Sequence, residues 1–192
     1  GLTAGKILID GNTACALGAV WGGVSFPGKR PGFACVVGMG REPHLSGHDI
    51  FLLDEYESFD LRQLVRQCGA LDVKYGICLS RAYRPDSPGR WVGDSKNDAA
   101  SRFIEEMNAE RGDAATHMER FTLSGTMLLE MENLYPFILP QIKDLLDPKR
   151  RMLFLKGSKI LTYLGEIEEG QIAELQPGDH PAIESLAFAV IE

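Results

Sequence analysis

At Asp60 the apolar residues change their spacing. Ahead of it lie short extended runs, KILID, FACVVGMG and DIFLLDEYE, separated by the turn PGKRPG and the loop REPHLSGH. From Asp60 onward DLRQLVRQCGALDVKYG places Leu61, Leu64, Val65, Cys68 and Leu71 on one face of a helix, with Asp60 as its N-cap. A chain that lays down several strands and then switches to a 3.6-residue period predicts a mixed α/β domain.

The first strand covers Lys6 to Asp10. The next stretch, ACALGAVWGGVSF, reads two ways: its Ala and Leu suit a helix capped by Asn12, while its glycines and Val20, Trp21, Val24 and Phe26 suit a second strand, and strand is preferred. Beyond Gly76 the loop RAYRPDSPG leads to a brief strand, RWVGD, ending at Asp94, and to a helix over Asp98 to Asn108. A strand is expected near MERFTL, and a helix in MLLEMENLYPFILPQIKDLL, broken or kinked by Pro136 and Pro140. RMLFLKGSKILTYLGEI predicts a hairpin or an edge strand. HPAIESLAFAVIE predicts a final helix, with Asp179 as N-cap, Pro181 in its first turn, and Ile183, Leu186, Ala187 and Val190 facing inward.

With 192 residues, 44% of them hydrophobic and 24% charged, the sequence suits one globular domain spanning residues 1–192, with no repeat and no low-complexity linker. It contains no apolar run of the roughly 20 residues needed to span a bilayer and no signal-peptide pattern, so a soluble, cytoplasmic protein is expected. Cys15, Cys35, Cys68 and Cys78 stand singly in apolar surroundings, which predicts buried reduced thiols. The net charge of −7 argues against a domain that grips nucleic acid tightly by itself, since that affinity comes mainly from Lys and Arg. An enzyme that meets nucleic acid transiently is still allowed.

Acids at the ends of strands are the positions of interest, because ligands in open α/β sheets gather there. Asp10 and Asp94 each end a strand, and if the two strands are neighbours their carboxylates converge. Close carboxylates repel unless a cation neutralises them, and hard oxygen ligands suit Mg²⁺ or Mn²⁺. Two such ions can activate a water and stabilise the leaving oxygen of a phosphodiester. A third ligand would come from Asp179 or Glu184. Each acid also has a plainer role: Asp10 in an Asx-turn, Asp94 in a turn or cap, Asp179 as a helix cap, and Glu184 on a solvated helix face.

These motifs, taken in order, resemble the nuclease domain of phage large terminase subunits: a first strand ending in Asp, DEYE before a helix, WVGDS with a helix behind it, and GDHPAIESLAFAV at the end. The resemblance implies a ribonuclease H-like mixed sheet flanked by helices. It implies a metal-dependent endonuclease for double-stranded DNA, with Asp10, Asp94 and Glu184 as metal-binding acids and Asp179 as alternative or supplement. His180 matches a neighbouring polar position and could orient a ligand or water; as a helix-start histidine it is expected to be exposed. The implied cofactor is a pair of Mg²⁺ or Mn²⁺ ions. The implied partners are DNA, a terminase ATPase domain or small subunit, and a portal protein, in a phage or prophage setting inside a bacterium. The family's final helix usually has Asp where Glu184 stands, and the segment from Ala14 to Gly40 is longer than a simple hairpin needs. No GxxxxGK[ST] run occurs, so the resemblance implies a nuclease domain without a P-loop motor.

Lys149, Arg150, Arg151 and Lys156, with Lys159 beyond, could lead DNA toward the acids; Arg81, Arg84 and Arg90 are a second basic group. The plainer reading of both is solvated surface. Trp91 is expected in the core. Competing readings are a catalytically silent domain of the same fold, an actin-like or sugar-kinase-like ATPase opening on DGNT, and a 2-oxoacid oxidoreductase segment resembling ILIDGNTACALGAVWGGVSF.

Overall fold

The computed structural model describes residues 17–40, 50–75, 77, 91–94, 97–111, 134–146, 152–167 and 169–191. The expected strand Lys6 to Asp10, the loop RAYRPDSPG and the strand near MERFTL lie outside them.

Three extended runs form an antiparallel meander, β1 (Leu17–Ser25), β2 (Gly32–Gly40) and β3 (Ile50–Ser58). A short β4 (Trp91–Val92) pairs parallel with β1, and a short β5 (Met152–Leu153) pairs parallel with β3, giving the order β4-β1-β2-β3-β5. Every strand except β2 therefore runs the same way. The chain leaves β1, β3, β4 and β5 at one common end of the sheet.

Alternation along β2 divides the core. Phe33, Cys35 and Val37 face one side and pack with the helices α3 (Leu134–Leu146), α4 (Lys159–Glu166) and α5 (Pro181–Ile191). Ala34 and Val36 face the other and pack with α1 (Leu61–Tyr75) and α2 (Asp98–Arg111). A sheet covered on both faces needs strands without a polar face, which is why FACVVGMG reads as a continuous apolar run. β1 meets the same demand with small residues. A Cβ at Gly22 would overlap the Trp91 ring, and a Cβ at Gly23 would overlap the Ser185 carbonyl oxygen of α5. The Ser185 hydroxyl, itself buried, donates to the Gly23 carbonyl at 2.7 Å. The paired glycines that made this stretch ambiguous in sequence are what lets helix and indole lie against a strand.

The helices follow their expected faces. Leu64, Val65, Cys68 and Leu71 of α1 are buried, and Asp60 caps the helix by accepting the Arg62 amide at 2.9 Å. α2 begins at Asp98 as expected and runs to Arg111; its cap is Asn97, which accepts the Ala99 amide at 2.9 Å. α3 passes through Pro140 without a break, the proline standing at the exposed surface and Pro136 within the first turn. Trp91 is buried, as expected, and so are the free thiols Cys35 and Cys68; Cys15 and Cys78 lie outside the described residues.

Two expectations need correction. RMLFLKGSKILTYLGEI does supply the expected edge strand, β5, but it is not a hairpin: after β5 it turns into α4, with Ile160 and Leu164 buried four residues apart. The deciding partner is remote in sequence. Glu55 on β3 accepts the Ser158 hydroxyl at 2.8 Å and the amides of Lys159 and Ile160, satisfying first-turn donors that α4 cannot pair internally. The second concerns Asp179, which does not cap α5 through its side chain. With Pro181 as first helical residue the cap position falls on His180, whose carbonyl accepts the Ile183 and Glu184 amides, while the Asp179 carboxylate folds back onto the Gln176 amide at 2.8 Å.

Candidate functional site

The common end of the sheet is where the polar residues of interest meet. β1 ends at Ser25, β4 leads into Gly93 and Asp94, and α5 begins there because its apolar length packs down over β1 and β2. Ser25, Asp94, Asn97, Gly178 and Glu184 line one pocket of about 90 Å³, closed by Phe26, Pro177 and Phe188. Of the sequence-predicted acids, Asp94 and Glu184 share this pocket. Asp179 adjoins it, near enough for its charge to act on Glu184.

Glu184 is only 3% exposed, which corrects the plainer reading of a solvated helix residue. Its Oε1 accepts the Gly178 amide at 2.9 Å; its Oε2 is buried and makes no well-formed hydrogen bond among the described residues, although the Tyr135 hydroxyl lies near enough to favour the ionised carboxyl. Burial pushes the carboxyl up to about 7; the Gly178 amide and the Tyr135 hydroxyl oppose the rise, and the charges of Asp179 and Asp94 add to it. A carboxylate kept this way is short of one positive partner.

The start of α5 is held from behind. The Tyr135 hydroxyl of α3 accepts the His180 amide at 2.8 Å, and the two rings meet edge to face with centroids 6.1 Å apart. His180, expected at the surface, is instead 9% exposed. Its packing against Tyr135 accounts for this.

The remaining predicted residues fall elsewhere. Asp10, Lys149, Arg150, Arg151, Arg81, Arg84 and Arg90 lie outside the described residues. Lys156 stands exposed in the turn after β5, on the sheet edge opposite β4. Lys159 pairs with Glu57 at 2.8 Å. The described neighbour of β4 is β1, which brings Ser25 to the pocket; the Lys6 to Asp10 strand expected beside β4 lies outside the described residues. Ser25, Tyr135 and Gly178 were not singled out from sequence. Ser25 lies next to the end of the run read as a strand, whereas nothing local marks Tyr135 or Gly178.

Among the described residues no group of three His, Cys, Asp or Glu side chains is arranged to hold a metal ion. The pair that is present does suit a hard cation. Both donors are carboxylates, and the unpartnered Glu184 Oε2 is the atom that a cation would satisfy.

No protein-family model and no curated protein sequence matches the chain. Among solved structures it is similar to the nuclease domain of the large terminase from bacteriophage SPP1, crystallised with bound Mn. The match covers 96% of this chain and 92% of that one, with a TM-score of 0.55 and 15% sequence identity. The fold is ribonuclease H-like. In this ribonuclease H-like frame the mixed sheet lies between two helical layers, and the Asp94 and Glu184 pocket opens at the end where its parallel strands stop. No helix among the described residues is long and apolar enough to cross a membrane.

Proposed function

We propose that this chain is a divalent-metal-dependent endonuclease domain that hydrolyses phosphodiester bonds in double-stranded DNA. The observation that carries the reading is the Asp94 and Glu184 pair, brought together from β4 and α5 with one buried carboxylate oxygen unpartnered. The fold shared with a nuclease domain that binds Mn supports it.

Asp94 and Glu184 would hold the metal, with Asp179 beside them and Asp10 as the further acid offered by the sequence. Bound Mg²⁺ or Mn²⁺, two ions in this reading, supplies activation of the attacking water and stabilisation of the leaving oxygen. The chain's own part is to fix the donors. Gly178 pins Oε1 of Glu184, and the Tyr135 to His180 bond holds the helix start that carries Glu184. Because burial raises the Glu184 carboxyl to about 7, a metal held there would compete with its proton. In a packaging machine such a domain would trim DNA in the bacterial cytoplasm, alongside a terminase ATPase domain or small subunit and a portal protein.

A second reading has its own observation. Among the described residues the strand beside β4 brings Ser25 and not an acid to the pocket, and the second reading is a domain that keeps the fold and binds nucleic acid without cutting it. Plasmid cleavage in Mn²⁺, in Mg²⁺ and in EDTA separates the two, with Asp94→Asn and Asp10→Asn compared at matched circular dichroism. Metal-dependent nicking that falls at least a hundredfold in Asp94→Asn is the expected result. Intact plasmid at high protein concentration, together with no Mn²⁺ binding by calorimetry, would leave the silent domain as the function.

A further inference from the structure

A second cavity, of about 230 Å³, borders the same first turn of α5: His180, Pro181 and Ala182 wall it, while Gly178 and Glu184 wall the carboxylate pocket. Its other side is the turn between β1 and β2, with Lys29 and Arg30, and the end of β3, with Glu57 and Phe59. Phe59 is 64% exposed, an unusual place for a large aromatic ring. Tyr163 of α4 stands in the same cavity, its hydroxyl donating to Glu57 at 2.8 Å.

The charges favour an anion. Glu57 is already neutralised by Lys159 at 2.8 Å, and the hydrogen bonds and charge from Lys159, with the Tyr163 hydroxyl, outweigh burial and hold its carboxyl below the usual range. Among the described residues Arg30 has one ion pair, with Glu166 at 4.0 Å and at the exposed surface, and Lys29 has none. Exposed contacts of that kind hold a cation weakly. His180 lines the cavity and is nine-tenths buried, and its Nδ1 has no partner among the described residues.

We propose that this cavity takes one unpaired nucleotide of a nucleic-acid strand, with its base against Phe59 and Tyr163, its edge toward His180, and a phosphate toward Lys29 and Arg30. The inference rests on the nuclease reading of the neighbouring carboxylate pocket, from which the strand would continue across the first turn of α5. Flat heteroaromatic rings carrying an anion are what aromatic walls with a cationic mouth select. The volume limits the occupant to a single unit, since pockets that enclose drug-sized ligands run roughly 300–1,000 Å³.

The test uses the whole chain in EDTA at low salt, so that neither metal nor cleavage enters the readout. Short single-stranded DNA carrying 2-aminopurine is titrated with protein, and its fluorescence reports stacking. Wild type is expected to quench the probe, Phe59→Ala to weaken binding about fivefold or more, Phe59→Trp to restore it, and the Lys29→Ala, Arg30→Ala double variant to weaken it further in a salt-dependent way. Unquenched probe with wild type, or equal affinity for wild type and Phe59→Ala, would overturn the proposal whatever the cleavage assay gives. A free nucleoside monophosphate that competes as well as the strand would also overturn it, marking a mononucleotide site. Plasmid cleavage by the same variants keeps the two readings apart: cutting without quenching sinks this inference alone, and quenching without cutting sinks the nuclease alone.

Discussion

Glu184 shows how one residue can be stable in the fold only by compromise. Its carboxyl is raised to about 7 because burial, then Asp179 and Asp94, oppose ionisation more than Gly178 and Tyr135 favour it. A carboxyl raised in the folded state binds its proton more tightly there than in the unfolded chain, so stability is greatest below about pH 4.5 as far as this group is concerned. The contribution is lost as pH rises through about 7, and by linkage it is worth about 3 kcal/mol over that window. Glu184→Gln keeps an oxygen for the Gly178 amide and removes the titration. Urea unfolding at pH 5 and pH 8 should therefore show the wild type losing stability between the two and the variant losing about 1–3 kcal/mol less. Mn²⁺ should restore wild-type stability at pH 8 and leave Glu184→Gln nearly unchanged, because a ligand that binds only the folded state stabilises it. Equal pH dependence in both proteins would mean that Glu184 is ionised in the fold and does not govern the pocket.

The element that fixes the pocket is the β1 to α5 contact, and it depends on Gly23. No side chain separates the strand from the Ser185 carbonyl, and the Ser185 hydroxyl closes the gap onto the Gly23 carbonyl. Gly23→Ala puts a methyl where that oxygen stands, and neither backbone can yield without moving α5 off the sheet. The expected cost is about 3 kcal/mol or more, at the upper end of overpacking, read as a lowered urea midpoint. Gly69→Ala, with nothing within 4 Å of the added Cβ and a helical setting, should be neutral or stabilising in the same assay. This contact also shows what the sequence could and could not give. The strands β2 and β3 and the helices α1, α2 and α5 were legible from local periodicity, as were the acids Asp94 and Glu184 as residues near element ends. The α4 helix was not, because the Glu55 carboxylate that satisfies its first turn comes from 103 residues earlier in the chain. Nor was the role of Asp179, since a cap position moves by one residue when proline opens the helix. His180 was misplaced at the surface for a similar reason: the ring it packs against, Tyr135, belongs to a different helix.

Across the whole molecule the net charge of −7 sets how DNA can be met. Phosphates are repelled by the sum of the acids, but repulsion is screened within a Debye length of about 10 Å at 0.1 M salt, so only acids beside the phosphate path weigh heavily. If DNA runs over the pocket, Asp94 and Glu184 are those acids, and without a cation they hold the strand off. At pH 8, above the raised value of Glu184 so that both acids are ionised, neutralising them as Asn and Gln should raise affinity for a short duplex in EDTA by about fivefold or more at 50 mM salt, with the gain shrinking as salt rises. The comparison variant neutralises Glu105 and Asp144, exposed on α2 and α3, and so changes net charge by the same amount. Fluorescence anisotropy of both variants against wild type decides where the nucleic acid lies. A larger gain from the pocket pair places DNA over Asp94 and Glu184, the arrangement in which one cation site both admits the substrate and cuts it. Equal gains would mean that only total charge matters and that the strand approaches some other face of the sheet.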